Sequence, residues 1–266
     1  MSLNIKEVLS EAADFYKSNF KSLVSLSLCY VLVLGPVVLL VNFTEYIPTT
    51  VTDDSAAIFV VVTLIWAILL IIFGPRFFLA TMVLIHSLMN GEQMNLKMAY
   101  RQTKGKYWAI VGRILLLGAF VFGAQAFLSN LLGLGFNNYF SFLSSALISS
   151  LFYLIHPVIA LEANTKHALK RSYGMIEGNY LPVFVLYFLT TTLLNLLDHG
   201  LRDVLPTHLG VLLVIGIAYW IVMFFLFPFR ETVCVVVYRK LKGVVGEPAK
   251  DEEVASNENH LLSDVE

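Results

Sequence analysis

Apolar residues gather into six long stretches, at about 22–41, 57–75, 109–132, 141–161, 180–197 and 209–229, with shorter polar segments between them. A helix needs about 20 apolar residues to cross the ~30 Å hydrocarbon layer of a bilayer. The second stretch contains "IFVVVTLIWAILLIIF" without a break, and the fifth, "YLPVFVLYFLTTTLLNLL", is the shortest. The pattern predicts an all-α integral membrane protein with six transmembrane helices. Residues 1–245 form one polytopic domain. The acidic, polar tail 246–266 lacks the apolar content to fold and is expected to be disordered.

Three of the polar segments have a helical period of their own. Ile5, Val8, Leu9, Ala12, Phe15, Tyr16 and Phe20 fall on one stripe of a helix over 4–20. Asn4 and Glu7 suit a capping box at its start. "NLKMAYRQTKGKYW" from Asn95 and "NTKHALKRSYGMIEGNY" from Asn164 repeat the theme: Asn-x-Lys first, aromatics last, an apolar stretch directly after. Such helices suit the headgroup level of a membrane. In each case two spans follow, and a proline ends the second, in "FGPRFF", "IHPVIALE" and "LFPFRE". The chain therefore reads as a threefold internal repeat of interfacial amphipathic helix, span, span. Proline removes a backbone donor and clashes one turn back. The helices are thus expected to kink or end at Pro75 and Pro228, with the apolar residues beyond bending away from the spans along the cytoplasmic face.

Charge orients this arrangement. Of the 18 Lys and Arg residues, all but Arg202 lie in the N-terminal arm, between spans 2 and 3, between spans 4 and 5, or after span 6. Lys and Arg concentrate on the cytoplasmic side. The chain is expected to be a multi-pass protein of the cell membrane, of prokaryotic plasma-membrane type, with both termini cytoplasmic. The first 21 residues are charged throughout and do not resemble a signal peptide. With 58% hydrophobic residues, 14% charged and a net charge of −1, nothing favours nucleic acid as a partner. Cys29 and Cys234 sit within apolar runs and read as packing residues.

Candidate chemistry is sparse. His156 suits a hydrogen bond to a neighbouring helix better than a proton relay. The histidines have no metal-ligand spacing, and no catalytic or cofactor motif stands out. "GLGF" at 133–136 reads as a turn, and Thr190, Thr191, Thr192 and Asn195 as polar contacts between helices. Glu162 either caps the helix starting at Asn164 or pairs with Arg76 or Arg230. Those two arginines follow prolines in equivalent places of two repeats. They either snorkel to headgroups or form a salt bridge to Glu162 or Glu231, or they join the Asn164 helix start in holding a lipid phosphate. Lys166, Lys170 and Arg171 give the third amphipathic helix a basic face that attracts anionic headgroups.

"HPVIALEANTKHALKRSYGMIEGN" and the ending "ETVCVVVYRKLKG" resemble the membrane domain associated with glycerophosphoryl diester phosphodiesterases and its stand-alone relatives. The resemblance covers residues 4–243. It implies a six-span module that deals with lipids or supports partners, and no phosphodiesterase activity, because no βα barrel follows. The expected function is a non-enzymatic accessory or scaffold that binds membrane phospholipids or another membrane protein. A small transporter or lipid translocase working at the repeat interface is the alternative.

Overall fold

The structure is a computed structural model that describes residues 3–29, 53–132, 139–163, 165–193, 196 and 209–245. Among these the chain is helical and has no strand. Among the described residues, four helices are long and apolar enough to cross a membrane, with candidate stretches at Ile71–Met89, Tyr107–Phe127, Leu143–Leu161 and Ile221–Gly243. They mark the chain as a membrane protein.

The chain opens with α1 (Ile5–Ser18), capped by Asn4, whose side-chain oxygen accepts from the backbone N–H of Lys6 and Glu7. Half of the expected capping box is present; the Glu7 carboxylate pairs with Lys240 instead of returning to Asn4. The short apolar helix α2 (Phe20–Cys29) begins the first expected span, and residues 30–41 of that span lie outside the described residues. The 37-residue helix α3 (Asp53–Met89) follows. Next come α4 (Leu96–Gln102), capped by Asn95 through the Met98 N–H, and the 26-residue α5 (Tyr107–Leu132). Gly105, at φ 89°, sits in the left-handed region between them, where a side chain would be strained.

The expected fourth span is broken. α6 (Tyr139–Ser150) and α7 (Ile155–Leu161) are separated by a turn at 151–154. Pro157 is the reason: it lies in the first turn of α7, where its missing N–H costs nothing, but its ring would clash with a helical carbonyl at Tyr153. The third amphipathic helix, α8 (Ala168–Ile176), begins four residues later than expected, with His167 at its cap position; Asn164 lies outside the described residues. Gly178, at φ 79°, turns the chain into α9 (Tyr180–Tyr187), which continues as a π-helical segment, Phe188–Thr192. Most of the chain from 194 to 208, including Asn195, lies outside the described residues, as do the 133–138 turn and the tail from 246. The last helix, α10 (Leu209–Val245), also has 37 residues.

Pro75 and Pro228 do not end their helices; α3 and α10 run through both as helix. Neighbouring hydroxyls meet carbonyls loosened by these prolines. The Tyr107 hydroxyl donates to the Ile71 carbonyl, four residues before Pro75, at 3.0 Å. The Tyr16 hydroxyl donates to the Phe225 carbonyl, three residues before Pro228, at 3.1 Å. Pro157 has a counterpart: the Tyr153 carbonyl accepts from the Cys234 thiol at 3.5 Å.

At about 1.5 Å per residue, α3 and α10 are each ~55 Å long, well beyond one hydrocarbon layer. Each divides at its proline. Before it, Leu64, Ile68 and Ile71 of α3 and Val214, Ile217 and Ile221 of α10 are exposed. After it, Leu79, Met82 and Ile85 pack with Leu154, Ile155 and Ile159 and with Val233, Val236 and Tyr238 into one core. α7 and the proline-distal halves of α3 and α10 form its centre. α1 lies against α10, α4 against α3, and α8 against α7 and α10.

Candidate functional site

The junction between α7 and α8 is the most heavily tied part of the core. Glu162 ends α7 in extended conformation, φ −95° and ψ 149°, so the carbonyls at that end point outward from the ladder. Lys106, just before α5, donates from Nζ to the carbonyls of Ala160 at 2.8 Å and Glu162 at 3.0 Å. Arg113, two turns along α5, donates to the carbonyls of Thr165 at 3.4 Å and Lys166 at 2.8 Å. Cations belong at a helix C-terminus, where the peptide dipoles leave partial negative charge. Burial pulls the Lys106 ammonium below the usual lysine range, and the Glu162 charge opposes that shift.

The Glu162 carboxylate accepts from Arg171 Nε at 3.4 Å and from the Tyr238 hydroxyl at 3.1 Å. One side chain thus ties together α7, α8 and α10. Its partners are neither Arg76 nor Arg230, as the sequence suggested.

Those arginines are engaged separately. Arg76 donates to the Tyr100 carbonyl at 3.0 Å and lies over the Tyr100 ring at 4.1 Å, so it fastens α4 to α3. Arg230 pairs with the adjacent Glu231, its Nε 2.9 Å from Oε1, with its guanidinium 5.4 Å from the Phe227 ring. The structure does not join the two into one phosphate site. Of the expected basic residues, Lys166 and Lys170 are exposed, whereas Arg171 is half-buried against Glu162.

Beside Arg230 lies a cavity of about 140 Å³ between α5, α6, α7, the π-helical segment and α10. Tyr153, His156, Thr191, Arg230 and Glu231 line it, with Leu117 at its apolar side. His156 stacks on Phe78, ring centroids 6.4 Å apart. The buried hydroxyls of Tyr153 and Thr191 have no hydrogen-bond partner. The Thr190 hydroxyl beside Tyr153 donates to the Leu186 carbonyl at 2.7 Å. The π-helical segment inserts an extra residue per turn here, a distortion common at functional sites.

No motif or spacing singled out Lys106, Arg113 or Tyr238. They are ordinary residues at helix edges until the fold shows which carbonyls and carboxylate they face. Glu231 was legible as a partner for Arg230, being adjacent in "FRETV". No model of a known protein family, no curated protein and no solved structure matches this chain.

Proposed function

We propose that the protein is a non-enzymatic, six-span membrane protein of the cell membrane that binds anionic phospholipid at its cytoplasmic face, in an accessory or scaffolding role. The observation that carries this reading is the placement of its exposed cations. Lys6, Lys17 and Lys21 near α1, Lys97, Arg101 and Lys104 around α4, and Lys166 and Lys170 at α8 are exposed. All three helices pack on the same proline-distal core, so the cations encircle one end of the bundle. Each Lys or Arg near an anionic leaflet contributes about 1 kcal/mol. The opposite halves of α3 and α10 expose apolar side chains between Val61 and Phe73 and between Val214 and Phe225, about 18–20 Å of helix before each proline, a surface suited to hydrocarbon.

A threefold construction supports the same orientation. Tyr107, from the second unit, bonds a carbonyl of the first unit's paired helix. Tyr180, from the third, bonds the Leu147 carbonyl of the second unit's, at 2.8 Å. Tyr16, from the first, bonds the third unit's, closing the ring. The amphipathic helices pack in the same sense, α4 on α3, α8 on α7 and α1 on α10, so each lies on the proline-containing helix of another unit. The resemblance to phosphodiesterase-associated membrane domains points to the same modular role.

The test is lipid retention by the purified protein, read by native mass spectrometry. Replacing Lys97, Arg101, Lys104, Lys166 and Lys170 with Gln should cut retention of phosphatidylglycerol at least tenfold, and 0.5 M salt should do the same to the wild type. Undiminished retention in the five-fold variant refutes the reading.

A further inference from the structure

The cavity beside Arg230 has features that the basic collar does not explain. Its charges are a matched pair. Glu231 is 6% exposed and Arg230 21%, and the Glu231 Oε1 accepts from both Nε and Nη2 of Arg230. Glu231 Oε2 accepts no hydrogen bond from the described residues. The Tyr153 phenol, 8% exposed, is also without a partner, as is Thr191. Leaving a buried hydroxyl unmade costs about 1–3 kcal/mol, so two in one cavity point to an occupant that supplies the missing bonds.

The size and charge of the cavity restrict that occupant. An apolar cavity of about 150 Å³ admits benzene, so one of 140 Å³ admits a group of roughly six to eight non-hydrogen atoms. Arg230 and Glu231 cancel, which disfavours a bare dianion or a cation. A group with a negative end toward the guanidinium and hydroxyls, and a donating positive end toward Glu231 Oε2, complements this lining. Leu117 borders the cavity, and next to it on α5 are the exposed Leu116 and Phe120, at 55% and 56%. The Phe120 ring meets Phe152 edge-on at the same rim. The surface beside the cavity is therefore apolar, which favours a ligand with acyl chains.

We infer that this cavity binds a zwitterionic aminophosphate group, the phosphoethanolamine head of a phospholipid, with its phosphate at Arg230, Tyr153 and Thr191 and its ammonium at Glu231. The inference deepens the lipid-binding reading, but it concerns a site and a headgroup distinct from those of the basic collar.

Native mass spectrometry of the full chain, supplied in turn with phosphatidylethanolamine, phosphatidylcholine and phosphatidylglycerol, tests it. The wild type should retain one phosphatidylethanolamine at least tenfold more tightly than phosphatidylcholine, whose trimethylated head cannot donate to Glu231. That retention should survive 0.5 M salt, unlike binding at the collar. Tyr153→Phe with Thr191→Val keeps the shape of both side chains and removes both hydroxyls. It should weaken retention about tenfold or more while leaving the unfolding temperature unchanged or raised. Leu117→Trp, at the apolar entrance, should weaken it independently. Free phosphoethanolamine that displaces the lipid shows that the head alone suffices, and failure to displace shows that the acyl chains contribute; both outcomes keep the aminophosphate chemistry. Equal retention of phosphatidylethanolamine and phosphatidylcholine, or unchanged retention in both the hydroxyl variant and Leu117→Trp, overturns the inference whether or not the collar binds phosphatidylglycerol.

Discussion

Lys106→Met should destabilise the protein more than any other single lysine substitution at the basic end. Its Nζ makes two charge-assisted hydrogen bonds, to the Ala160 and Glu162 carbonyls. Methionine keeps the length and apolar stem of the side chain and removes both donors. Bonds to a charged group contribute about 1.5–3 kcal/mol each, and orphaned buried carbonyls cost about as much. Lys106 is half-buried, so water recovers part of the loss. The expected net cost is about 2–4 kcal/mol. At roughly 2–4 °C per kcal/mol for a chain of this size, that lowers the midpoint by about 4–16 °C. Thermal unfolding in a fixed detergent, followed by circular dichroism, measures it. Lys104→Met is the control: Lys104 is exposed, and its variant should stay within about 0.5 kcal/mol of wild type. If both variants melt together, the α7 terminus does not depend on Lys106.

The same residue sets a pH dependence. Burial holds its folded pKa below the ordinary lysine value of 10.5. Between the folded and the unfolded value the unfolded chain binds more protons, so stability rises with pH across that alkaline window. Lys106→Met should flatten that rise.

Three further outcomes follow from the contacts around the core. Tyr16→Phe and Tyr107→Phe each remove one hydroxyl donor from a carbonyl loosened by proline, and each should cost about 0.5–1.5 kcal/mol in thermal unfolding. The two sites share no partner, so the double variant should show the sum within about 0.5 kcal/mol. In a double-mutant cycle, Glu162→Gln and Arg171→Gln should show a coupling of about 0.5–2 kcal/mol, whereas Glu162→Gln with Arg76→Gln should show none, since Glu162 pairs with Arg171 and not Arg76. Lys240 bridges Glu7 at 2.6 Å and Glu11 at 3.0 Å, but both carboxylates are exposed, so Lys240→Gln should cost under about 1 kcal/mol and less still at high salt.

Helix class and much of the local chemistry were legible because they rest on short-range rules. Asn4 and Asn95 cap the helices they precede, since a short polar side chain at that position can reach the free amides whatever surrounds it. The proline effects were legible only in part. Pro157 does interrupt its helix, whereas Pro75 and Pro228 do not, and no rule confined to one segment separates the three cases. The difference lies in position and partner: Pro157 falls where a new helix can start, and the other two lie mid-helix beside a tyrosine from another element. The partner of Glu162 was hidden for the same reason. Arg171 follows it by nine residues, but Tyr238 and Lys106 reach it from 76 and 56 residues away.

Hydropathy also counts apolar residues without asking what they touch. "FFLATMVLI" after Pro75 and "LIWAILLII" before it are similarly apolar in sequence, yet Leu79, Met82 and Ile85 are sealed in the core while Leu64, Ile65 and Ile68 are bare. Within hydrocarbon, an apolar side chain gains little by leaving lipid for a protein neighbour, so bare apolar faces there are cheap. In water or among headgroups the same faces must be buried, and each large side chain hidden contributes about 1.5–3 kcal/mol. The division of α3 and α10 at their prolines follows that rule, bare on one side and packed on the other. Arg76 and Arg230 stand at the division, each within two residues of its proline, with the first polar contacts of the packed half. Under the proposed placement a 37-residue apolar helix is two different objects joined at a proline: a bare segment for lipid to solvate, and a core strut packed among the amphipathic helices.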